Sequence, residues 1–238
     1  VRMRQFRQQD LLRVVLRRRD GPDLGPAIEA LAEELACFHG RTAVAGADTT
    51  HGLPEAVTAP ALANLTVLIR LQGPTPRLLG LQQWCQDEGQ RLAPLFLQRR
   101  DHGRVRECHG DLHLGNLVLQ QGRLLPFDCL EFSAGLRWVD VISEMAFLAM
   151  DLARHRRPLL AAALLNRWLD RSGDYAGLHG WRWYVAYRAL VRAKVSALQL
   201  QDSPRDGAER RLLRSDLRAY RRLAEAVRVP PTPVLLIT

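Results

Sequence analysis

"CHGDLHLGN", residues 108–116, runs directly into "NLVLQQGRLLPFD", residues 116–128. The first stretch crowds two histidines, an aspartate, two glycines and an asparagine together. In the second, two short apolar runs flank Gln120-Gln121-Gly122-Arg123, which is the pattern of a β-hairpin, and Pro126 suits a strand end. Folding about Gln121-Gly122 sets positions whose numbers add to roughly 243 or 244 opposite each other. Asn116 and Asp128 therefore meet at the open end, and Asp111 lies in the loop just before. An amide oxygen beside a carboxylate is a hard-oxygen pair of the kind Mg²⁺ takes. A second carboxylate nearby is placed to act on a hydroxyl.

Outside this segment helical signals dominate. In "LGPAIEALAEELACFHG" the residues Leu24, Ile28, Leu31, Leu35 and Phe38 recur at three- and four-residue spacing, with Gly40 as a stop. His39 follows as a C-terminal cap or surface residue. "RLLGLQQWCQDEGQRLAPLFLQRRD" reads as one long helix. "VISEMAFLAMDLA", after Asp140, is apolar on most faces and so buried. "PLLAAALLNRWLDRSG", "WRWYVAYRALVRAKVSALQL" and "GAERRLLRSDLRAYRRLAEAV" complete the helical part. Trp138, Trp168, Trp181 and Trp183 read as core residues at helical spacing. Residues 41–77 read as loop plus a short helix, and the hairpin is the one place that reads clearly as β. The expected fold is mainly α with a small β-hairpin.

Composition narrows the class. The chain has 238 residues, 47% of them apolar, and no run long enough for a membrane span. The basic start lacks an apolar h-region, so it does not read as a signal peptide. Cys37, Cys85, Cys108 and Cys129 lack CxxC spacing, which argues against a zinc ribbon or a disulfide scaffold. These features point to a reduced, cytoplasmic protein, with Cys108 and Cys129 as small buried hydrophobes. The net charge of +9 comes almost wholly from arginine, Lys194 being the sole lysine. The basic runs are dispersed and interleaved with acids, which reads as solvated helix faces rather than a nucleic-acid surface. Arg188 and Arg192, four apart, read as a solvated or salt-bridged face, or as the lining of an acceptor cleft.

The spacing H-x-D-x-x-x-x-N, then a hairpin, then Asp, is that of the protein-kinase catalytic loop and its metal-binding aspartate. With "HGDLHLGN" in this form, the chain resembles the aminoglycoside phosphotransferase and choline-kinase branch of the kinase-like fold. It is most similar to bacterial aminoglycoside phosphotransferase family enzymes fused to a P-loop ATP-binding domain. "CHGDLHLGN", "PFDCLEF", "LRWVDVISEMAFLAMDL" and "AYRALVRAKV" carry the resemblance over roughly residues 1–225. It implies an ATP- and Mg²⁺-dependent O-phosphotransferase, with ATP or GTP as donor and a small hydroxyl compound as acceptor. Asp111 would accept the hydroxyl proton, and Asn116 and Asp128 would hold Mg²⁺ on the nucleotide. His109 would support the loop, and Asp140 would steady it; beside them, His113 reads as a supporting or solvent-facing loop histidine, and Glu131 as support of the metal site or an ordinary exposed acid. The backbone of Arg2, Met3 and Arg4 would meet the adenine as a hinge.

The implied organisation is a hinge-like segment over 1–7, a kinase-like C-terminal lobe over 8–228, and a linker with the first strand of a P-loop domain over 229–238. Departures from the family pattern are equally informative. No GxGxxG, no GxxxxGK[ST] and no strand lysine paired with a helix glutamate occurs. The chain therefore reads as the C-lobe without most of the N-lobe. The partner segments, an N-lobe and a C-terminal P-loop domain, are expected in the same natural chain, and the isolated 238 residues are expected to turn over negligibly. Two other readings stand beside this one: a non-catalytic kinase-fold binding or scaffold module, and a metallophosphoesterase suggested by "GDLH". The latter lacks the downstream GNH(D/E) element. No carboxylate cluster suited to a polycationic aminoglycoside is visible in the sequence.

Overall fold

The computed structural model describes residues 6–18, 20–131, 133–201 and 207–229. The hinge expected at Arg2, Met3 and Arg4, and the strand expected over 234–238, lie outside the described residues. Phe6 is described, and its ring packs on Phe127 with centroids 4.7 Å apart. Leu11 forms a bridge to Val118, so the N-terminal segment rests on the hairpin.

The short helix α1 (Leu12–Val15) leads to α2 (Gly25–Arg41). Ile28, Leu31 and Leu35 of α2 are buried as their spacing requires, but Phe38, on the same stripe, is 42% exposed. Phe38 instead borders a cavity beside the hairpin. His39 is the larger departure: it is buried, not at the surface.

Helix α3 (Pro54–Gln72) has 19 residues where the sequence suggested loop and a short helix. Pro60 lies inside it, has no N–H to give to the helical ladder, and hides the pattern. Burial of Ala61, Asn64, Leu65 and Leu68 along one face holds the helix together regardless. The single long helix expected next is two, α4 (Pro76–Arg91) and α5 (Ala93–Asp101), joined at Leu92. Pro94 causes the break, because its ring clashes with the preceding turn and it cannot donate.

Among the described residues the β structure is two separate two-stranded antiparallel sheets. One pairs β1 (Val105–Glu107) with β4 (Trp138–Asp140), and the other is the hairpin of β2 (Leu117–Gln120) and β3 (Arg123–Pro126). The β1–β4 pair was not visible in sequence, since three residues are too few to show alternation. Trp138 therefore belongs to a strand rather than a helix. Gln121 and Gly122 both have positive φ, 51° and 78°, as a two-residue type I′ turn requires. Gln120 faces Arg123 and Leu117 faces Pro126.

Between the sheets' strands lies α6 (Ala134–Arg137), and β4 feeds α7 (Val141–Arg154). Every residue of α7 from Val141 to Leu152 is buried, as its apolar composition predicts. The chain continues through α8 (Pro158–Ser172), ended by left-handed Gly173, then α9 (Trp181–Gln201) and α10 (Gly207–Ala226). Helix α7 packs against α8 and α9, and α9 also packs against α3 and α10. The fold is thus mainly α-helical with small antiparallel sheets. Among the described residues no helix is long and apolar enough to cross a membrane.

Candidate active site around the 108–128 segment

The 109–116 loop is suspended from three directions. The His109 ring nitrogen Nε2 lies 2.9 Å from the Phe127 carbonyl oxygen, and the Asp111 N–H donates to its Nδ1 at 3.3 Å. With Nδ1 accepting, the proton belongs on Nε2, and His109 ties the loop to the hairpin. Helix α7 contributes two buried carboxylates. Glu144 Oε1 accepts from the Gly110 N–H at 2.8 Å, and Asp151 Oδ2 from the Leu114 N–H at 3.0 Å. From α9, Arg188 Nη1 donates to the Gly110 carbonyl at 3.2 Å. Gly110 itself has φ 83°, and a Cβ there would stand 2.6 Å from the Leu136 carbonyl oxygen. No other residue fits this position without displacing backbone.

Asp111 and Asn116 are brought together. Asn116 Nδ2 donates to the Asp111 carbonyl at 3.0 Å and to its Oδ2 at 3.1 Å. His113 Nε2 stands 3.4 Å from the same Oδ2, and His113 Nδ1 accepts from the Gly115 N–H at 2.9 Å. Arg192 Nη1 is 3.1 Å from His113 Nε2. One carboxylate oxygen of Asp111 is therefore anchored, while no hydrogen bond occupies the other among the described residues. Burial works to raise the Asp111 pKa, but the His113 hydrogen bond and the charges of His113, Arg192 and Arg188 outweigh it and hold it below the ordinary carboxylate value. With the Asn116 amide nitrogen committed to Asp111, its amide oxygen is left as an acceptor.

Asp128 stands slightly apart from this pair. The hairpin register puts Asn116 opposite Phe127, whose N–H donates to the Asn116 carbonyl at 3.1 Å, so Asp128, the expected partner, is one step past the position opposite Asn116. It is exposed, has φ 60°, and borders a cavity of about 640 Å³ with Phe127 and His109. Asp111 borders a different cavity, of about 260 Å³, with Gly110, Arg188 and Lys194. Glu131 is exposed, its carboxylate 4.0 Å from the Cys129 thiol. Cys129 is exposed too, contrary to its expected burial, whereas Cys108 is buried.

Asp140 acts one layer behind the loop. It caps α7 by accepting from the Ile142 N–H at 3.1 Å, and Arg99 grips it with two hydrogen bonds of 2.6 and 2.7 Å. Arg99 also holds Asp174 at 2.7 and 2.9 Å, and the Tyr184 hydroxyl donates to Asp140. The acids that bond the loop backbone directly are Glu144 and Asp151. Two acids seven apart in an otherwise apolar helix were a readable signal for them, because they share one helix face. Arg188, expected to be solvated or salt-bridged, is 3% exposed. It donates to Ser143 Oγ at 3.1 Å and lies over the Phe147 and Tyr187 rings.

A relay of hydrogen bonds backs Glu144. Trp168 Nε1 donates to His39 Nδ1 at 3.1 Å, and His39 Nε2 meets Glu144 Oε2 at 2.8 Å. Among the described residues, His39, Cys108 and Glu144 form a group of potential metal-ligand atoms within 4.8 Å. The protein already occupies these atoms: both His39 nitrogens and both Glu144 oxygens are bonded, and the Cys108 thiol faces the Val139 carbonyl at 3.8 Å.

No family model matches the chain. It is similar to uncharacterized proteins of Mycobacterium bovis and of two strains of Mycobacterium tuberculosis. Each is 33% identical over 187 residues, covering 76% of this chain and 37% of the relative. The chain thus spans little more than a third of the length of the curated relatives it matches.

Proposed function

We propose that this chain is the catalytic lobe of an ATP- and Mg²⁺-dependent small-molecule O-phosphotransferase of the aminoglycoside phosphotransferase type, with a kinase-like fold. The observation that carries the reading is the pairing of Asp111 with Asn116 through two hydrogen bonds, directly ahead of a hairpin that ends in Asp128. One Asp111 oxygen is fixed and the other is open, which suits a group that receives an acceptor hydroxyl. The lowered pKa keeps the carboxylate ionised at neutral pH. It serves to orient the hydroxyl and take its proton late, as fits a loose phosphoryl-transfer transition state. In the balanced step the acceptor oxygen bonds to the γ-phosphorus, the bond to the β–γ bridging oxygen breaks, and the hydroxyl proton passes to Asp111.

The donor set fits Mg²⁺ in kind: the free amide oxygen of Asn116 and the exposed carboxylate of Asp128 are hard oxygen ligands. The ion would neutralise phosphate charge. Asp128 is a non-glycine residue in the left-handed region, a conformation that costs of order 1 kcal/mol and concentrates at functional sites. In this reading the phosphate-clamping lobe and a P-loop domain belong to further segments of the same natural protein, in keeping with the greater length of the mycobacterial relatives. The test is an ATP-consumption screen of the full-length protein against sugars, polyols, choline-like alcohols, sugar acids and aminoglycosides. An acceptor-dependent signal that Asp111→Ala abolishes is the expected result. No acceptor-dependent consumption by the full-length protein would favour a non-catalytic scaffold.

A further inference from the structure

The cavity of about 260 Å³ beside Asp111 is built from three elements: Asn64 and Pro60 on α3, Gly110 and Asp111 in the loop, and Tyr187, Arg188 and Lys194 on α9. Its charged residues are one carboxylate and two cations. Among the described residues Arg188, with 3% of its surface exposed, forms no ion pair with a carboxylate, and its Nη2 is buried without a hydrogen-bond partner. Asn64, equally buried, lines the cavity from α3. Buried polar groups in a folded protein are almost always satisfied, and a guanidinium without a counter-ion is costly. An arginine with one unsatisfied nitrogen, a buried amide and a half-buried lysine converging on one small cavity are groups held ready for an anion. Leu130, Leu136 and Val191 supply its apolar wall.

We infer that this cavity is the acceptor site and that it takes a small hydroxylated anion, a compound carrying hydroxyls and a single carboxylate or phosphate group. The inference rests on the phosphotransferase reading only for the word acceptor. The hydroxyl meets Asp111, and the anionic end meets Arg188 and Lys194, with Asn64 donating alongside. Guanidinium forks suit carboxylate and phosphate alike. A multi-ring polycation is disfavoured twice. The cavity is below the roughly 300–1,000 Å³ typical of drug-sized pockets, and its two cations outnumber its one acid.

Equilibrium binding without nucleotide tests this independently of turnover. Titration calorimetry of the full-length protein would compare D-gluconate, D-glucose 6-phosphate, D-glucose and kanamycin. At least one of the two acids should bind about tenfold or more tighter than glucose, a difference of about 1.4 kcal/mol. Which acid wins separates a carboxylate from a phosphate subsite. Lys194→Met, at a half-buried position, should erase most of that preference. Arg188→Lys should weaken the acid while a thermal melt reports whether the fold survives. Equal binding of glucose and both acids, tighter binding of kanamycin, no saturable binding of either acid, or a preference untouched by Lys194→Met would each overturn the inference. Acid selectivity without phosphorylation would leave the inference standing and remove the transferase reading; phosphorylation of neutral sugars without acid selectivity would do the reverse.

Discussion

Glu144 has no exposed surface, yet both its oxygens are occupied, one by the Gly110 N–H and the other by His39. Burial works to raise its pKa, but the hydrogen bonds from His39 and Gly110 prevail and keep it below the ordinary value of 4.5. Asp151 behaves alike: the His155 and Tyr220 contacts and the Arg192 charge overcome its burial. Both folded-state values lie below the unfolded ones. Their stabilisation is therefore complete above the ordinary carboxylate range and is lost as pH falls below about 4.5. Urea unfolding should show a flat stability between about pH 6 and 8 and a falling midpoint below about pH 4.5; a midpoint that rises on acidification would contradict this assignment. Glu144→Gln sets an amide N–H₂ against a donor and should cost about 1–3 kcal/mol in the same assay. The residues proposed to act in the loop were readable at this scale, because Asp111, Asn116 and Asp128 sit at fixed spacings around a turn. Arg188 and His39 were not, since burial of a polar side chain depends on which helix covers it.

At the level of elements, Arg99 of α5 binds Asp140, at the start of α7, to Asp174 in the turn before α9. Two carboxylates and one guanidinium, all buried, join three segments that are distant in sequence. The Arg99 pKa is raised: burial opposes the charge, and the two carboxylates more than compensate. Removing one partner of such a group leaves unpaired buried charge, so Arg99→Ala should lose about 3–5 kcal/mol by chemical denaturation. A loss below about 1 kcal/mol, the value for an exposed pair, would show that the cluster is not structural. The hairpin was legible because Gln121-Gly122 meets the strict backbone demand of a two-residue turn. Helix α3 was obscured by Pro60, and the β1–β4 pair by its brevity. In both cases long-range packing rather than local sequence decides the structure.

Across the whole molecule, the net charge of +9 resolves into unlike parts. Many arginines pair with acids at the surface, as Arg91 does with Glu88 and Arg154 with Asp216. Arg188 is instead buried beside the proposed acceptor cavity, where Asp111 is the one acid in the lining and no ion pair holds the guanidinium among the described residues. Helix content and the buried α7 were visible from periodicity and composition; the way α3, α7 and α9 enclose the loop emerges only from their packing. The proposal that Asp111 receives the acceptor proton is tested most directly by ³¹P NMR. The full-length protein would be incubated with Mg²⁺, ATP and an accepted hydroxy acid, following the γ-phosphoryl group. Wild type should transfer it to the acceptor oxygen, and Asp111→Asn, which keeps shape but cannot take the proton, should slow transfer by about 10²–10⁴-fold. Transfer by Asp111→Asn at the wild-type rate would contradict the account.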